Sequence, residues 1–233
     1  MSKEAIILSG GLGTRLRTVV ADIPKCMAMV AGKPFLHYVI SHLQKQGIEK
    51  FTFALGYKHK MIESWLTTQY PNLWMRFSVE EMPLGTGGAI KQACNYFTEE
   101  NVVVVNGDTL FSIEISKLSE IHSLNEADCT LSLKPMKNFN RYGLVTINPD
   151  LSIAAFKEKQ YYENGLINGG VYMLNAPKFL KEELPGIFSF EKDYLEKYID
   201  RRRMYGLVQE EYFIDIGIPD DFKKAQLELA GIH

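Results

Sequence analysis

Residues 4–16 read EAIILSGGLGTRL, a short apolar run that leads directly into three glycines and an arginine. The run is partly β-branched and too short for a helix, so it predicts a buried strand. Glycine allows left-handed backbone and the close approach of a ligand, and Arg15 can bind phosphate oxygens in a bidentate manner. The segment therefore predicts a strand followed by a loop that either cradles a phosphate or forms a plain tight turn.

The loop matches neither of the common phosphate-binding motifs. A dinucleotide fingerprint needs G-x-G-x-x-G, but Gly11 and Gly13 are followed by Leu16 where the third glycine belongs. The acidic residue expected about twenty positions later would fall near Gly32. The P-loop pattern G-x4-G-K-[ST] is also absent. A nicotinamide-dependent oxidoreductase is thus disfavoured, and a polyphosphate loop at the carboxyl end of the first strand stays open.

The first half of the chain alternates strands with helices. Strand patterns in KFTFALG, MRFSVEEM and NVVVVNGD alternate with helix patterns in PFLHYVISHLQKQG, KMIESWLTTQY and GGAIKQACNYF. This order predicts a mainly parallel sheet with helices on its faces and right-handed crossovers. The second half adds strand patterns in DCTLSLKPM, YGLVTINP, SIAAFKEK and NGGVYMLN, then helical stretches near residues 176–183, 189–200 and 219–231. The fold prediction is one Rossmann-like α/β domain over residues 1–233, with added strands in its second half.

The composition limits the class of function. The 233 residues carry a net charge of −2 and 46% hydrophobic residues, which suits one domain with a sizeable core. No basic surplus favours nucleic acid, and no window holds the roughly 18 apolar residues that a membrane span needs. Cys26, Cys94 and Cys129 lack metal-like spacing and predict reduced thiols of a cytoplasmic protein. The sequence carries no signal for oligomeric state, so a homo-oligomer is left open.

The motifs, taken in order, resemble those of the sugar-1-phosphate nucleotidyltransferases. The loop GGLGTRL is followed by Pro24 and Lys25, and then come GKPFLHYVI, EEMPLGTGGAI, VVNGDTLF, RYGLV, FKEKQ, LINGGVYML, FSFEKDYL and YFIDIGIPDDFKKA. They extend over nearly the whole chain. The resemblance implies a GT-A-like nucleotidyltransferase fold in which residues 1–110 mainly bind the nucleotide and residues 111–233 mainly bind the sugar phosphate.

In the reaction that this resemblance implies, an oxygen of a sugar 1-phosphate attacks the α-phosphorus of a nucleoside triphosphate, and pyrophosphate leaves. Such a reaction depends on positioning and charge neutralisation. The resemblance places Mg²⁺ on Asp108 and Asp215, which suits a hard cation that takes one or two carboxylates. Arg15, Lys25 and Asp108 are the implied catalytic residues. Taken singly, Asp108 is better explained as the residue that closes an Asx turn, and Asp215 as a helix cap or a salt-bridge partner.

The resemblance also implies two sets of binding residues. The nucleotide set is Leu8, Gly10, Gly11, Gly13, Thr14, Arg15, Lys25, Glu80, Pro83, Gly85, Thr86 and Gly107. The sugar-phosphate set is Gly143, Glu158, Lys159, Asn168 and Gly169. Gln160 stands where the family often has proline. A glycine-rich bulge in a curved strand is the alternative explanation for residues 168–170.

Glu80 favours guanine as the base. The Watson–Crick edge of guanine shows two adjacent donors, N1–H and the 2-amino group, and a carboxylate can accept both. Glu81 is the rival, because alternation along a strand sends only one of the two inward. Base recognition by the backbone of Gly85 and Thr86 is a further alternative.

The resemblance is strongest to members that form GDP-sugars. It implies GTP and a heptose 1-phosphate as substrates, and a place in the biosynthesis of surface polysaccharide such as lipopolysaccharide or capsule. Mannose 1-phosphate as acceptor, or transfer of a uridylyl or thymidylyl group, are the alternatives. A non-catalytic nucleotide-sensing subunit on the same fold should have lost phosphate or metal ligands, whereas Arg15, Lys25, Asp108 and Asp215 are all present.

Overall fold

The computed structural model describes residues 2–11, 23–197, 199–201 and 203–231. Its strands are β1 (Glu4–Leu8), β2 (Met29–Val30), β3 (Lys33–Pro34), β4 (Lys50–Leu55), β5 (Trp74–Val79), β6 (Asn101–Asn106), β7 (Thr109–Phe111), β8 (Cys129–Phe139), β9 (Leu144–Ile147), β10 (Ile153–Lys157), β11 (Tyr162–Asn175), β12 (Met204–Val208) and β13 (Phe213–Asp215). Its α-helices are α1 (Phe35–Lys45), α2 (His59–Gln69), α3 (Gly85–Cys94), α4 (Ile115–Leu124), α5 (Ala176–Leu180) and α6 (Pro219–Glu228). Lys25–Met27 and Ile199–Arg201 form 3-10 helices, and Phe190–Glu196 forms a π-helix.

The main sheet runs in the order β10-β9-β11-β6-β1-β4-β5, and β8 and β12 extend it beside β11. Strands β6, β1, β4 and β5 pair in parallel, as the alternating first half predicts. Strand β11 pairs antiparallel with β6, β8 and β9, so the second half joins the same sheet in the opposite sense. The predicted α/β class, a mainly parallel sheet flanked by helices with added strands, is confirmed.

The central strand β6 supplies both layers of the core. Val103 and Val105 pack in the cluster that contains α1, α2 and α6, whereas Val102 and Val104 pack in the cluster that contains α3, α5 and the π-helix. Successive side chains of a strand point to opposite faces, so one run of valines serves both helix layers. Each buried valine contributes about 1.5–3 kcal/mol. The turn that follows β6 is therefore held rigidly between two packed layers.

Six of the strands and α-helices are not predicted from the sequence: β2, β3, β7, α4, β12 and β13. Strands β7 and β13 have three residues each and form a separate antiparallel pair. They are stabilised by a partner about a hundred positions away, which local periodicity does not show. The three cysteines are free and buried. In the described ranges, every helix is too short or too polar to cross a membrane.

Candidate active site

The carboxyl ends of β1, β4 and β6 meet at one edge of the sheet. The Ser9 N–H donates to Ala54 O, and the Gly107 N–H donates to Leu8 O, each at 2.8 Å. A Cβ on Gly107 would lie 2.6 Å from the Ser9 hydroxyl, so only glycine allows the chains to come this close. These strand ends form the floor of a cleft.

This central cleft has a volume of about 710 Å³, within the range of small-molecule sites. Most of the predicted nucleotide-binding residues line it: Leu8, Gly10, Gly11, Lys25, Glu80, Pro83, Gly85 and Thr86, together with the predicted metal ligand Asp108. Gly107 packs against Leu8 and Ser9 at the floor of the cleft. The predicted residues Gly13, Thr14 and Arg15 lie outside the described residues, so the structure does not test their placement.

Lys25, which lines this cleft, is paired with two carboxylates. Its Nζ is 2.5 Å from Asp108 Oδ2 and 3.3 Å from Asp215 Oδ1. The lysine side chain is only 13% exposed, so the cation is largely removed from bulk water. The structure thus brings together three of the predicted catalytic and metal-binding residues, which are far apart in the sequence.

The small β7–β13 pair explains how the two aspartates meet. Thr109, which follows Asp108, lies opposite Asp215 in the register of that pair. The Ile216 N–H donates to Asp108 O at 3.1 Å and continues the ladder past the end of β13. Backbone hydrogen bonds therefore fix the separation of the two carboxylates.

A second group of side chains holds Asp215 from the other side. Tyr142 donates its hydroxyl to Asp215 Oδ2 at 3.3 Å, and Arg141 Nη2 donates to that hydroxyl at 2.8 Å. Arg141 Nη1 in turn donates to Asp221 Oδ2 at 2.5 Å. The other oxygen of Asp215, Oδ1, faces Lys25 and also accepts from the Gly217 N–H at 2.8 Å. Both oxygens of Asp215 are therefore held in place before any ligand binds.

The electrostatics of this group follow from its burial. Burial, together with the nearby Asp215 carboxylate, raises the pKa of the Tyr142 hydroxyl well above its ordinary value. Burial is the largest single effect on Arg141 and opposes its charge, but the bond to Asp221 and the charges of the surrounding acidic groups together outweigh burial, so the pKa of the guanidinium is raised. Tyr142 is thus a neutral donor and Arg141 a permanent cation at neutral pH. Neither residue is singled out by the sequence motifs, because RYGLV indicates only its glycine.

The donor set fits a hard divalent cation such as Mg²⁺. Asp108 and Asp215 offer oxygen ligands on either side of the Lys25 ammonium. Among the described residues there is no group of three or more acidic, histidine or cysteine side chains that could hold a metal by itself. Mg²⁺ is commonly held by one or two carboxylates and completes its shell with water and substrate phosphates. Two carboxylates beside a cleft meet that requirement.

Glu80 lies beyond the end of a strand and not on the strand that the sequence predicts. Strand β5 ends at Val79, so the alternation that was expected to separate Glu80 from Glu81 does not apply, and both residues line the cleft. Glu80 Oε2 accepts from the Leu84 N–H at 2.7 Å, whereas Oε1 lies beside Gly10, where a Cβ would be 2.7 Å away. Burial raises the pKa of the Glu80 carboxyl, and the Leu84 bond opposes this shift. Glu80 is therefore the more constrained of the two carboxylates.

The glycines that begin α3 have a packing role. Gly85 has φ +72°, and a Cβ there would overlap the carbonyl oxygen of Phe188. A Cβ on Gly87 would overlap the Phe188 ring, and the Gly87 N–H donates to Phe188 O at 3.0 Å. This part of the motif joins the first turn of α3 to the loop before the π-helix.

The predicted sugar-phosphate residues lie on or next to the added strands and do not line the central cleft. Glu158 and Lys159 are exposed after β10. Gly143 allows the chain to approach Lys157, whose carbonyl oxygen would be 2.7 Å from a Cβ. The structure groups these three near β9 and β10.

Asn168 and Gly169 lie on β11 where its pairing with β8 shifts register, so the bulge predicted as the alternative is present. The Asn168 amide donates to the Tyr172 hydroxyl at 2.9 Å and accepts from the Gly170 N–H at 3.0 Å. A Cβ on Gly169 would overlap the Phe111 ring. This segment therefore has a structural role that accounts for its asparagine and glycines.

The fold and this site define a nucleotidyltransferase, and comparison with known proteins agrees. The nucleotidyl transferase family model matches residues 4–231, and the chain belongs to that family. It is 54% identical over 226 residues to D-glycero-alpha-D-manno-heptose 1-phosphate guanylyltransferase of Aneurinibacillus thermoaerophilus, covering 97% of this chain and 98% of the relative. The protein of the same name from Campylobacter jejuni is 41% identical over 219 residues, covering 94% and 96%.

A solved structure gives the same result. The chain superimposes on HddC from Yersinia pseudotuberculosis, crystallised in complex with GMP-PN, with a TM-score of 0.88 and 37% identity. The match covers 98% of this chain and 100% of that one. Family and fold are thus established from sequence and from structure.

Proposed function

We propose that this enzyme transfers GMP from GTP to D-glycero-α-D-manno-heptose 1-phosphate, giving a GDP-heptose and pyrophosphate. The observation that carries the proposal is the convergence of Asp108 and Asp215 on the ammonium of Lys25, which lines the cleft. The choice of GTP and heptose is supported by the names of the two full-length relatives and by the GMP-PN complex of HddC. Mannose 1-phosphate remains the alternative acceptor.

The chemistry follows from the charges in the cleft. An oxygen of the acceptor phosphate attacks the α-phosphorus of GTP, the bond from that phosphorus to the β-phosphate oxygen breaks, and pyrophosphate carries away the electron pair. Both reactants are anions, so their approach requires nearby positive charge. Lys25 is assigned to the α-phosphate because, among the described residues, it is the one basic side chain that lines the cleft. The protein supplies no covalent nucleophile in this scheme.

Asp108 and Asp215 would hold Mg²⁺ in the proposed enzyme. When bound, the ion would neutralise phosphate charge and polarise the reacting phosphoryl group. The residues behind Asp215 would keep its carboxylate oriented, and the β7–β13 pair would keep its distance from Asp108. Arg15, which lies outside the described residues, is assigned to the triphosphate by resemblance alone.

Glu80 is proposed to select guanine, and the added strands to select the acceptor. The sequence assigns nucleotide binding mainly to residues 1–110, and most of the residues that line the cleft come from this range. Gly143, Glu158, Lys159, Asn168 and Gly169 remain the proposed sugar-phosphate residues. A cytoplasmic location, a role in surface polysaccharide synthesis and a homo-oligomeric state stay predictions.

A pyrophosphate-release assay tests this function. Purified enzyme is incubated with Mg²⁺ and each of GTP, ATP, UTP and CTP, crossed with heptose, mannose and glucose 1-phosphates. The expected result is release that is fastest with GTP and heptose 1-phosphate and that depends on both substrates. Equal rates with all triphosphates would remove the guanylyl assignment, and faster turnover of mannose 1-phosphate would replace the acceptor.

A further inference from the structure

The motif FSFEKDYL takes no part in the proposed transfer reaction, but it brings a carboxylate into the central cleft. Glu191 is the second residue of the π-helix and lines the cleft beside the first turn of α3. Its Oε2 accepts from the Thr86 hydroxyl at 2.8 Å and from the Ser189 hydroxyl at 3.0 Å. In the described part of the chain, Oε1 has no hydrogen-bond donor. The carboxylate is thus oriented through one oxygen, and the other remains available to a ligand.

The position of this helix is fixed by packing and by backbone bonds. The Phe190 ring lies edge-on to Tyr172 at 5.1 Å, and the Phe190 N–H donates to the Thr86 hydroxyl at 2.9 Å. The Lys197 N–H donates to Lys192 O, the five-residue spacing of a π-helix. Such helices are rare and occur often at functional sites.

Glu191 lies where the two halves of the site meet. In the described chain, the cleft lining contains two residues from beyond position 110, Glu191 and Gly217, and only the former has a side chain. Burial raises the pKa of Tyr172 far above its ordinary value, and the nearby charge of Glu191 adds to the shift. Because Tyr172 is bonded to Asn168, Glu191 adjoins the strand that the sequence assigns to the sugar.

The chemistry of a carboxylate restricts what it can face. An ionised carboxylate only accepts hydrogen bonds, and it repels phosphate. The phosphates are assigned to the Lys25 centre, and the donors of guanine are assigned to Glu80. The remaining donors in the two substrates are sugar hydroxyl groups. We infer that Glu191 is a specificity-determining residue whose carboxylate accepts a hydrogen bond from a hydroxyl group of the acceptor sugar, an inference that rests on the proposed function.

Kinetics of Glu191→Gln test this inference, with Glu120→Gln as the matched control because Glu120 is exposed on α4 away from the cleft. Removing a charged acceptor should lower kcat/KM for the sugar 1-phosphate about tenfold or more, with KM for GTP within about twofold of wild type. The loss should shrink for the deoxy-sugar 1-phosphate that lacks the recognised hydroxyl. Glu120→Gln should behave as wild type.

Two results would overturn the inference. Unchanged acceptor kinetics in Glu191→Gln would do so, as would an effect confined to KM for GTP that disappears with 2′- or 3′-deoxy-GTP, since the ribose would then be the partner. If Glu191→Gln lowers the melting temperature, Glu191→Asp keeps the charge but withdraws it by one methylene, and the same loss of acceptor kcat/KM is expected. If the proposed function itself is wrong, the wild-type enzyme will release no pyrophosphate, and this result is distinct from an unchanged rate in Glu191→Gln.

Discussion

Replacing Tyr142 with Phe should impair turnover without unfolding the protein. The change removes the hydroxyl that links Arg141 to Asp215 and keeps the ring, which packs edge-on against Phe213 at 6.0 Å. Asp215 would retain its bonds to Lys25 and to the backbone, so its carboxylate would stay in the site with less restraint.

The expected magnitude follows from the distances. A hydrogen bond to a charged group contributes about 1.5–3 kcal/mol. The Tyr142–Asp215 bond, at 3.3 Å, is long, and Arg141 Nη2 already lies 3.5 Å from Asp215 and can take over part of its role. We therefore expect the lower end of the range, about 1.5 kcal/mol, which corresponds to about a tenfold fall in kcat.

The assay is steady-state pyrophosphate release over a range of Mg²⁺ concentrations, combined with Mn²⁺ binding measured by electron paramagnetic resonance in the presence of GTP. Tyr212→Phe is the matched control, since it removes a hydroxyl that donates to the Glu228 carboxylate at 2.8 Å away from the cleft. Tyr142→Phe should show a lower kcat and weaker Mn²⁺ binding than Tyr212→Phe. Identical behaviour of the two variants would refute the positioning role.

Three further predictions concern the base, the loop and the core. Glu80→Gln should reduce the preference for GTP over UTP about tenfold in kcat/KM, whereas Glu81→Gln should leave it unchanged. Equal effects of the two substitutions would show that Glu80 does not recognise the base. Gly85→Ala should lower the free energy of unfolding by about 2 kcal/mol or more, because φ is +72° and a Cβ would overlap backbone. Gly186→Ala, with open space around it, should cost less than Gly85→Ala in the same urea titration, and equal losses would contradict the packing account. Burial, helped by the charge of Lys178, lowers the pKa of His122 from 6.5 to about 4, so the unfolded chain binds the extra proton between these values. The contribution of His122 to the free energy of unfolding should therefore be fully present above pH 6.5 and be lost as the pH drops toward 4, by at most about 1.4 kcal/mol per pH unit. If His122→Gln shows the same dependence of the free energy of unfolding on pH as wild type, this prediction is wrong.

The parts of the fold that the sequence predicts are those set by local pattern. The apolar run NVVVVNGD predicts a strand buried on both faces, and the alternate valines of β6 do pack in opposite layers. The helix pattern of PFLHYVISHLQKQG predicts α1, whose apolar side is buried. In both cases the periodicity itself reports which face meets the core.

Contacts between distant segments could not be predicted in this way. Tyr142 and Asp215 are 73 positions apart, and Arg141 and Asp221 are 80 apart. Their meeting depends on β13 pairing with β7, and each of these strands is too short to give a periodic signal. Glu80 and Glu81 lie just beyond β5, where alternation no longer predicts direction.

The role of each glycine in the motifs could not be predicted from the sequence. A bare backbone is needed both where a ligand approaches and where two chain segments pack closely. Gly10 and Gly11 line the cleft, whereas Gly87 and Gly169 are glycines because aromatic rings occupy the space of a Cβ. The sequence alone does not separate these two uses.

The proposed catalytic centre of this guanylyltransferase consists of Asp108, Asp215 and Lys25. Its most direct test is the rate of Mg²⁺-dependent GDP-heptose formation by Asp108→Asn, compared with wild type and with Asp150→Asn, which changes an exposed turn aspartate. We expect a fall of about a hundredfold or more for Asp108→Asn with an unchanged melting temperature, and a normal rate for the control. A near-normal rate in folded Asp108→Asn would contradict this assignment.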